Sequence, residues 1–248
     1  MSYKAEKILP YNSHESKATQ VERMFDDIAD NYDTLNHTLS MGIDKSWRKK
    51  GILALKDIQP RKILDIATGT GDLAIEAFQR LQPDAIVGID ISEKMMEIGK
   101  IKVDKAQLSA HISFGKQDCA ALTLENNSFD AAMVAFGIRN FEHLDKSIQE
   151  ILRVLKPDGK LMILELSSPE HFPMKQLYSI YSKIIIPGIG RLISKNNSAY
   201  RYLPKSISVF PQGEEMVQIL KKNGFKEAAC KTYSLGICSM YIATKEGA

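Results

Sequence analysis

The sequence predicts an α/β fold with a seven-stranded, mostly parallel sheet whose last strand runs antiparallel. Three observations carry that prediction. Apolar runs of strand length alternate with helical periodicity through the middle of the chain, a glycine turn follows the first run, and the last two runs follow one another with no helix between them. Alternation of this kind sets strands side by side in parallel, with helices on both faces and right-handed crossovers.

The elements follow in order. Residues 1–18 are polar and read as a flexible tail. Residues 19–33 predict an amphipathic helix, with Thr19 as N-cap and Val21, Met24, Phe25 and Ile28 on one face. A second helix is expected over 45–56, and Pro60 closes this helical cap of about 19–58. Strands are then expected at 62–67, 85–89, 112–115, 131–136 and 160–166, with helices at 72–82, 92–106 and 144–155 between them. The LKPDG run at 155–159 is a strong breaker ahead of the fifth strand. Residues 169–211, rich in Tyr, Ile and Pro, interrupt the rhythm and read as a helical insertion. A helix at 213–223 and strands at 225–232 and 237–244 finish one domain spanning 1–248, and the short loop between those strands makes them antiparallel.

Composition narrows the class. The chain has 248 residues, 44% of them hydrophobic, which is enough for one large α/β core. A formal net charge of +3 argues against nucleic acid as a partner, and the one short basic cluster, 45–50 (KSWRKK), reads as a solvated helix face. Three cysteines without metal-ligand spacing read as reduced thiols of a cytosolic protein. The N-terminus has no signal-peptide pattern, and the greasiest stretch, 177–194, is interrupted by Lys183, Pro187 and Arg191. The expectation is a cytoplasmic protein that is soluble or peripheral at the inner face of a membrane.

The most informative segment is LDIATGTGDLA at 64–74, where a strand ends, Gly69 and Gly71 make the turn, and a helix begins near Asp72. Glycines there let backbone pass close beneath a ligand. Gly69, Gly71 and Ala74 also satisfy the relaxed dinucleotide pattern, so the turn alone fits a nicotinamide oxidoreductase as well. Asp90, at the tip of the second strand and followed by Ile91, is placed to accept two ribose hydroxyls. Asp118, at the tip of the third, can accept an adenine amino group while the Cys119 amide donates to a ring nitrogen. A second acid at the third strand, together with the antiparallel ending, favours S-adenosylmethionine over a nicotinamide. The absence of basic residues between Ile63 and Gln79 suits a cationic sulfonium ligand without phosphate.

From about Val21 onward the chain resembles the ubiquinone/menaquinone biosynthesis C-methyltransferases, the UbiE/MenG family. The resemblance rests on FDDIADNYDTLNHTLSMGIDKSWRKK (25–50), LDIATGTGD (64–72), AFGIRNF (135–141), LKPDGKLMILELSSP (155–169), YSKIIIPGIGRLIS (181–194) and AYRYLPKSISVFP (199–211). It implies a Rossmann-like class I S-adenosylmethionine methyltransferase that methylates a ring carbon of a polyprenylated quinol. The acceptor is then a naphthoquinol such as demethylmenaquinol, or the benzoquinol of the ubiquinone branch. It also implies cofactor contacts at Thr68, Asp90, Asp118 and Cys119.

Such chemistry needs a reduced ring, because an aromatic carbon becomes nucleophilic when an adjacent hydroxyl is ionised, and the neutral thioether leaving group calls for no metal. Arg139 and Asn140, just past the fourth strand, are placed to stabilise phenolate charge and to orient a ring oxygen. Pairing of Arg139 with a loop acid such as Glu142 is the competing expectation. Tyr32, Asn36 and His143 are further candidates for the ring or its proton. Tyr178, Tyr181, Ile184 and Ile185 lie at helical spacing that suits either a prenyl groove or plain packing on the sheet. Lys175, Lys183, Arg191 and Lys195 would suit transient contact with an anionic membrane, and a homodimer is compatible with the chain.

Overall fold

The structure, a computed structural model, describes residues 2–180, 182 and 197–247. The parallel strands form where apolar runs were expected: β1 (Lys62–Ile66), β2 (Ala85–Asp90), β3 (Ile112–Lys116), β4 (Phe129–Ala135) and β5 (Leu155–Leu166). β6 (Phe225–Tyr233) and β7 (Cys238–Lys245) complete one sheet in the order β3-β2-β1-β4-β5-β7-β6. β7 lies between β5 and β6 and is antiparallel to both, so it alone runs against the rest. The order reverses between β1 and β4, which opens a crevice at the carboxyl ends of those strands.

The helices are α1 (Lys17–Ile28), α2 (Tyr32–Leu39), α3 (Ile43–Leu53), α4 (Asp72–Leu81), α5 (Glu93–Lys105), α6 (Leu144–Val154), α7 (Met174–Ile180), α8 (Asn197–Val209) and α9 (Glu214–Lys222). Successive strand residues feed opposite faces. Leu64, Ala132 and Ile163 pack with Ile148 and Ile151 of α6 and Leu220 of α9. Their neighbours Ile63, Ala131 and Leu164 pack on the other face with Trp47 and Ile52 of α3 and Ala74 of α4. A third cluster joins Met24, Ile28 and Leu35 of the cap to Ala199, Tyr200 and Tyr202 of α8.

Four expectations are corrected. The N-cap of α1 is Ser16, whose side chain accepts the Thr19 amide, so Thr19 is the third helical residue. The expected helix over 19–33 breaks into a 3-10 turn at Ala29–Asn31, which re-aims α2 from Tyr32 onward. The LKPDG run lies inside β5 as an irregularity between Leu155 and Lys160, where Asp158 takes φ +60°. Residues 2–16 are no loose tail. Ala5 is buried, the Tyr3 hydroxyl donates to Asp145 (2.7 Å), and Glu6 accepts the Leu144 amide (2.8 Å). Of the insertion, Tyr178 is described, whereas Tyr181, Lys183, Ile184, Ile185, Arg191 and Lys195 lie outside the described residues.

Lys17 locks this N-terminal segment down. It is 2% exposed, and its ammonium donates to the carbonyls of Ala5 (2.8 Å), Arg139 (3.2 Å) and Phe141 (3.3 Å). Burial is the main force on it, pulling its pKa down to about 8 against the opposing pull of Glu6 and Glu142. An ammonium has three donors and all are used here. Lys17→Ala should lower the unfolding free energy in a urea titration by about 1–3 kcal/mol for each carbonyl left dry. Lys17→Met should rescue none of it, because the loss is of donors and not of packing.

Candidate active site

The turn after β1 runs Ala67 to Gly71, with φ +53° at Ala67, +54° at Gly69 and +76° at Gly71. A side chain at Gly71 would start 3.0 Å from the Phe114 ring, so the turn needs glycine for space as well as for φ. The turn after β4 mirrors it: Phe136 has φ +59°, and a Cβ on Gly137 would lie 2.5 Å from that of Ala67. The two turns therefore meet backbone to backbone. Strained non-glycine residues of this kind cost about 1–3 kcal/mol each and persist where surrounding structure imposes them.

Asp90, at the tip of β2, accepts the Gly69 amide on Oδ2 and the Ser92 amide on Oδ1, both at 2.8 Å. Burial pushes its pKa up, while the amides of Ser92, Gly69 and Ile91 pull it back. Each carboxylate oxygen keeps acceptor capacity beyond those bonds. Asp118 is exposed and its Oδ1 accepts the Ala120 amide (2.8 Å), which fixes the carboxylate at the tip of β3. These acids line one pocket of about 70 Å³ with Gly69, Ile91, Met95, Gln117 and Cys119. Ala18, Val21 and Phe25 of α1 close it from above. The Cys119 thiol itself points into the core with its pKa pushed up by burial, so its place here is a backbone one. Cys238 is likewise buried with a raised pKa, and Cys230 is half-buried with the same direction.

Thr68 and Gly71 do not sit where the other cofactor candidates do. Thr68 lines a smaller adjoining pocket with Tyr32, Asp33, His37, Arg48, Asp65 and Asp72. Its hydroxyl donates to Asp65 (2.6 Å), and the Thr70 hydroxyl donates to Asp33 of α2 (2.6 Å), which clamps the cap onto the glycine turn. Lys102 strengthens the clamp by donating to Asp33 (2.9 Å) and to Asp72. Asp65 is 1% exposed, and its Oδ1 has no hydrogen-bond partner. Sequence reasoning missed it, although an acid inside a buried strand is a signal in itself.

Next to these lies a larger cavity of about 140 Å³, whose lining includes Met24, Leu39, Trp47, Leu166, Tyr178 and Leu203. Phe25, Tyr32 and Phe136 wall both this cavity and the pocket of Asp90 and Asp118. Arg139 faces the larger cavity. Its Nη1 donates to Glu165 (2.7 Å) and to the Phe136 carbonyl, and its Nε has no hydrogen-bond partner. Burial works against its charge, and Glu165 together with Tyr32 and Tyr202 outweighs that to hold its pKa above the ordinary value. Asn140 lines the other pocket, and its Oδ1 accepts the Tyr202 hydroxyl (3.1 Å).

Several site expectations change. The partner of Arg139 is Glu165 of β5, because Glu142 is taken up by the Lys17 and Ala18 amides at the start of α1 (3.3 and 3.0 Å). His143 is exposed and faces a polar dimple with Glu6 and Asp145, outside the cavities. Tyr32 and Asn36 do line the larger cavity. In the KSWRKK cluster the three lysines are exposed as expected, but Arg48 is buried and faces the same cavity.

Comparison with known proteins agrees with this geometry. The model of the ubiE/COQ5 methyltransferase family matches residues 13–245. The chain belongs to that family. It is 55% identical to a demethylmenaquinone methyltransferase of Bacteroides fragilis over 245 residues, covering 99% of this chain and 100% of the relative. It is 44% identical to one of Porphyromonas gingivalis over 97% and 98% of the two chains. It is 38% identical to a ubiquinone/menaquinone biosynthesis C-methyltransferase of Geobacter sulfurreducens over 98% and 94%. Among solved structures, a SAM-dependent methyltransferase of Thermotoga maritima superposes with a TM-score of 0.61 at 19% identity over 90% and 99% of the chains. The [4+2]-cyclase SpnF gives 0.64 at 16% over 93% and 97%. These two share the fold, and one being a methyltransferase and the other a [4+2]-cyclase, it carries more than one chemistry.

Asp65 yields a sharp expectation. Burial first, with the Asp90 charge adding to it, raises its pKa to about 7 against the Thr68 hydrogen bond. An acid whose folded pKa exceeds its unfolded value destabilises the fold progressively as pH rises from near 4 through 7, and by a constant amount above that. Asp65→Asn, which keeps an acceptor for Thr68, should therefore melt higher than the native protein at pH 8. The margin should shrink to nothing toward pH 4 in a thermal-unfolding series.

Proposed function

We propose that the protein transfers a methyl group from S-adenosylmethionine to a ring carbon of a polyprenylated naphthoquinol, converting demethylmenaquinol to menaquinol. The observation that carries this is the 55% identity to a demethylmenaquinone methyltransferase along the full length of both chains. The pair of adjoining cavities supports it, because Phe25, Tyr32 and Phe136 are common walls across which a donor and an acceptor could meet.

The residues present fit the cofactor. An adenosine needs acceptors for its ribose hydroxyls and adenine amino group, and Asp90 and Asp118 line the one pocket. An amino-acid end needs a partner for its ammonium, and the buried, unpartnered Oδ1 of Asp65 meets that need beside Thr68 and Gly69. S-adenosylmethionine supplies, when bound, an electrophilic methyl on a sulfonium whose leaving group is a neutral thioether. The protein's own part is to exclude water, hold the ring and stabilise the oxygen beside the accepting carbon. Arg139 is suited to the last task, being a buried cation with an unused Nε–H in a largely apolar cavity. It stays protonated throughout, so it stabilises phenolate and does not take the proton. Apolar walls contributed by Met24, Leu39 and Leu203, with Tyr178 beside them, suit the start of a prenyl chain, at about 0.8 kcal/mol for each methylene buried.

The acceptor's chain lodges in a bilayer, so we place the protein in the cytoplasm, meeting the membrane face transiently. No helix among the described residues is long and apolar enough to cross a membrane. Flotation with anionic liposomes carrying the reduced acceptor should bring the protein up with the vesicles.

Methyl transfer from labelled S-adenosylmethionine to reduced demethylmenaquinol, set against a prenylated methoxy-benzoquinol, tests the reading. The naphthoquinol should be the better acceptor, and the oxidised quinone should take no label. Removing Arg139 alone would strand the buried Glu165 charge at a cost of about 3–5 kcal/mol, so the informative variant is Arg139→Met with Glu165→Gln. Turnover should drop at least about a hundredfold, the scale of one lost electrostatic stabiliser. Calorimetric affinity for S-adenosylhomocysteine should stay within a few-fold of native.

A further inference from the structure

Arg139 has a counterpart that the proposed reaction leaves without a role. Arg48 of α3 is 8% exposed, lines the same cavity, and likewise has an Nε without a hydrogen-bond partner. Acids engage two of its nitrogens: Nη2 pairs with Asp44 at 2.7 Å and Asp72 at 3.6 Å, and Nε faces Glu76 at 3.9 Å, an ion pair too long to be a hydrogen bond. Asp44 is itself 3% exposed and accepts from the Ser40 hydroxyl (2.6 Å) and from His37 (3.1 Å). A carboxylate has roughly four acceptor sites and three are taken, so one is left. Asn36, Ser40, Asp44 and Arg48 together make a polar patch contributed by α2, the turn after it and α3. Arg139 enters from a different wall, the turn after β4. Tyr32 lines the same cavity as both guanidiniums.

A cavity with apolar walls and two buried guanidiniums is more than one activated hydroxyl requires. A buried donor without a partner is costly unless a ligand satisfies it. A 1,4-dihydroxy ring offers two oxygens at opposite ends of a flat, apolar body. We propose that Arg48, with Asp44, is a specificity-determining pair that binds the second hydroxyl of the acceptor ring, the one beside the prenyl-bearing carbon. The assignment rests on the quinol reading above and deepens it. It also gives the cavity a way to tell reduced from oxidised rings. A hydroxyl both donates and accepts, matching the carboxylate of Asp44 and the guanidinium of Arg48 together. A quinone carbonyl can only accept, which would turn its lone pair toward Asp44.

The test compares two acceptors in the native protein and in Arg48→Met: the reduced prenylated naphthoquinol, and 3-prenyl-1-naphthol. The second keeps the hydroxyl next to the methyl-accepting carbon and lacks the other. The native enzyme should favour the diol in kcat/KM by roughly 10- to 100-fold, the range of one hydrogen bond to a charged group. In Arg48→Met that ratio should fall to near one, while a wall or folding defect would slow both acceptors alike and leave the ratio standing. A native ratio near one, or an Arg48→Met ratio equal to a native 10- to 100-fold one, overturns the assignment. If Arg48→Met yields no folded protein by S-adenosylhomocysteine calorimetry, Asp44→Asn carries the same comparison. There the ratio should narrow, and an unchanged ratio counts against the pair. Methylation of neither acceptor by the native protein would instead bring down the quinol reading, and this inference with it.

Discussion

Glu165 sits in the middle of an apolar run on β5, is 1% exposed, and has Arg139 2.7 Å away as its counter-charge. A lone buried carboxylate would cost several kcal/mol, so the pair constrains everything around it. The turn after β4 must fold back over the end of β5, and the Arg139 amide adds a second bond to the same carboxylate (3.3 Å). That turn in turn sets Phe136 between the cavities and Asn140 in the wall of the pocket that Asp90 and Asp118 line. Lys17 then takes the carbonyls of Arg139 and Phe141, so the N-terminal segment is fastened to the same few residues. A salt bridge of this kind adds little net stability over an apolar pair. Its contribution is to fix one geometry among many.

The cap is the second half of that arrangement. Its helices supply Val21 and Phe25 over the pocket of Asp90 and Asp118, Met24 and Leu39 over the larger cavity, and Tyr32 over both. Asp33 ties them to the glycine turn through Thr70 and Lys102. A Rossmann-like sheet by itself leaves its crevice open to water. Here a segment that precedes the first strand in sequence becomes the roof of both compartments.

Much of this was legible in the chain. Strand runs, helix periods and the missing last crossover fixed the sheet, because both faces are buried and the pattern repeats. Asp90 and Asp118, which the structure brings to one pocket, stand out in the chain because each is an acid at or just past the end of an apolar strand. What escaped was long-range. Asp44, four residues before Arg48 on the same helix, was a local signal that sets it apart from the lysines of KSWRKK, but the burial of Arg48 against Asp72 and Glu76 of α4 is long-range. The pairing of Arg139 with Glu165 rather than Glu142 likewise spans 26 residues and a strand crossover. The packing of residues 2–16 was hidden for the same reason, because polar composition says nothing about the carbonyls that a buried lysine will collect.

The placement of the sulfur atoms has a chemical consequence. A hydroquinone that loses two electrons becomes a Michael acceptor, and the groups it arylates fastest are thiolates. Cys119 and Cys238 are buried, Cys230 is half-buried, and all three are held toward the protonated form. Among the described residues none of them lines the larger cavity. The oxidised form of the quinol acceptor proposed above would thus meet no ready thiolate in that cavity, although the chain keeps three cysteines.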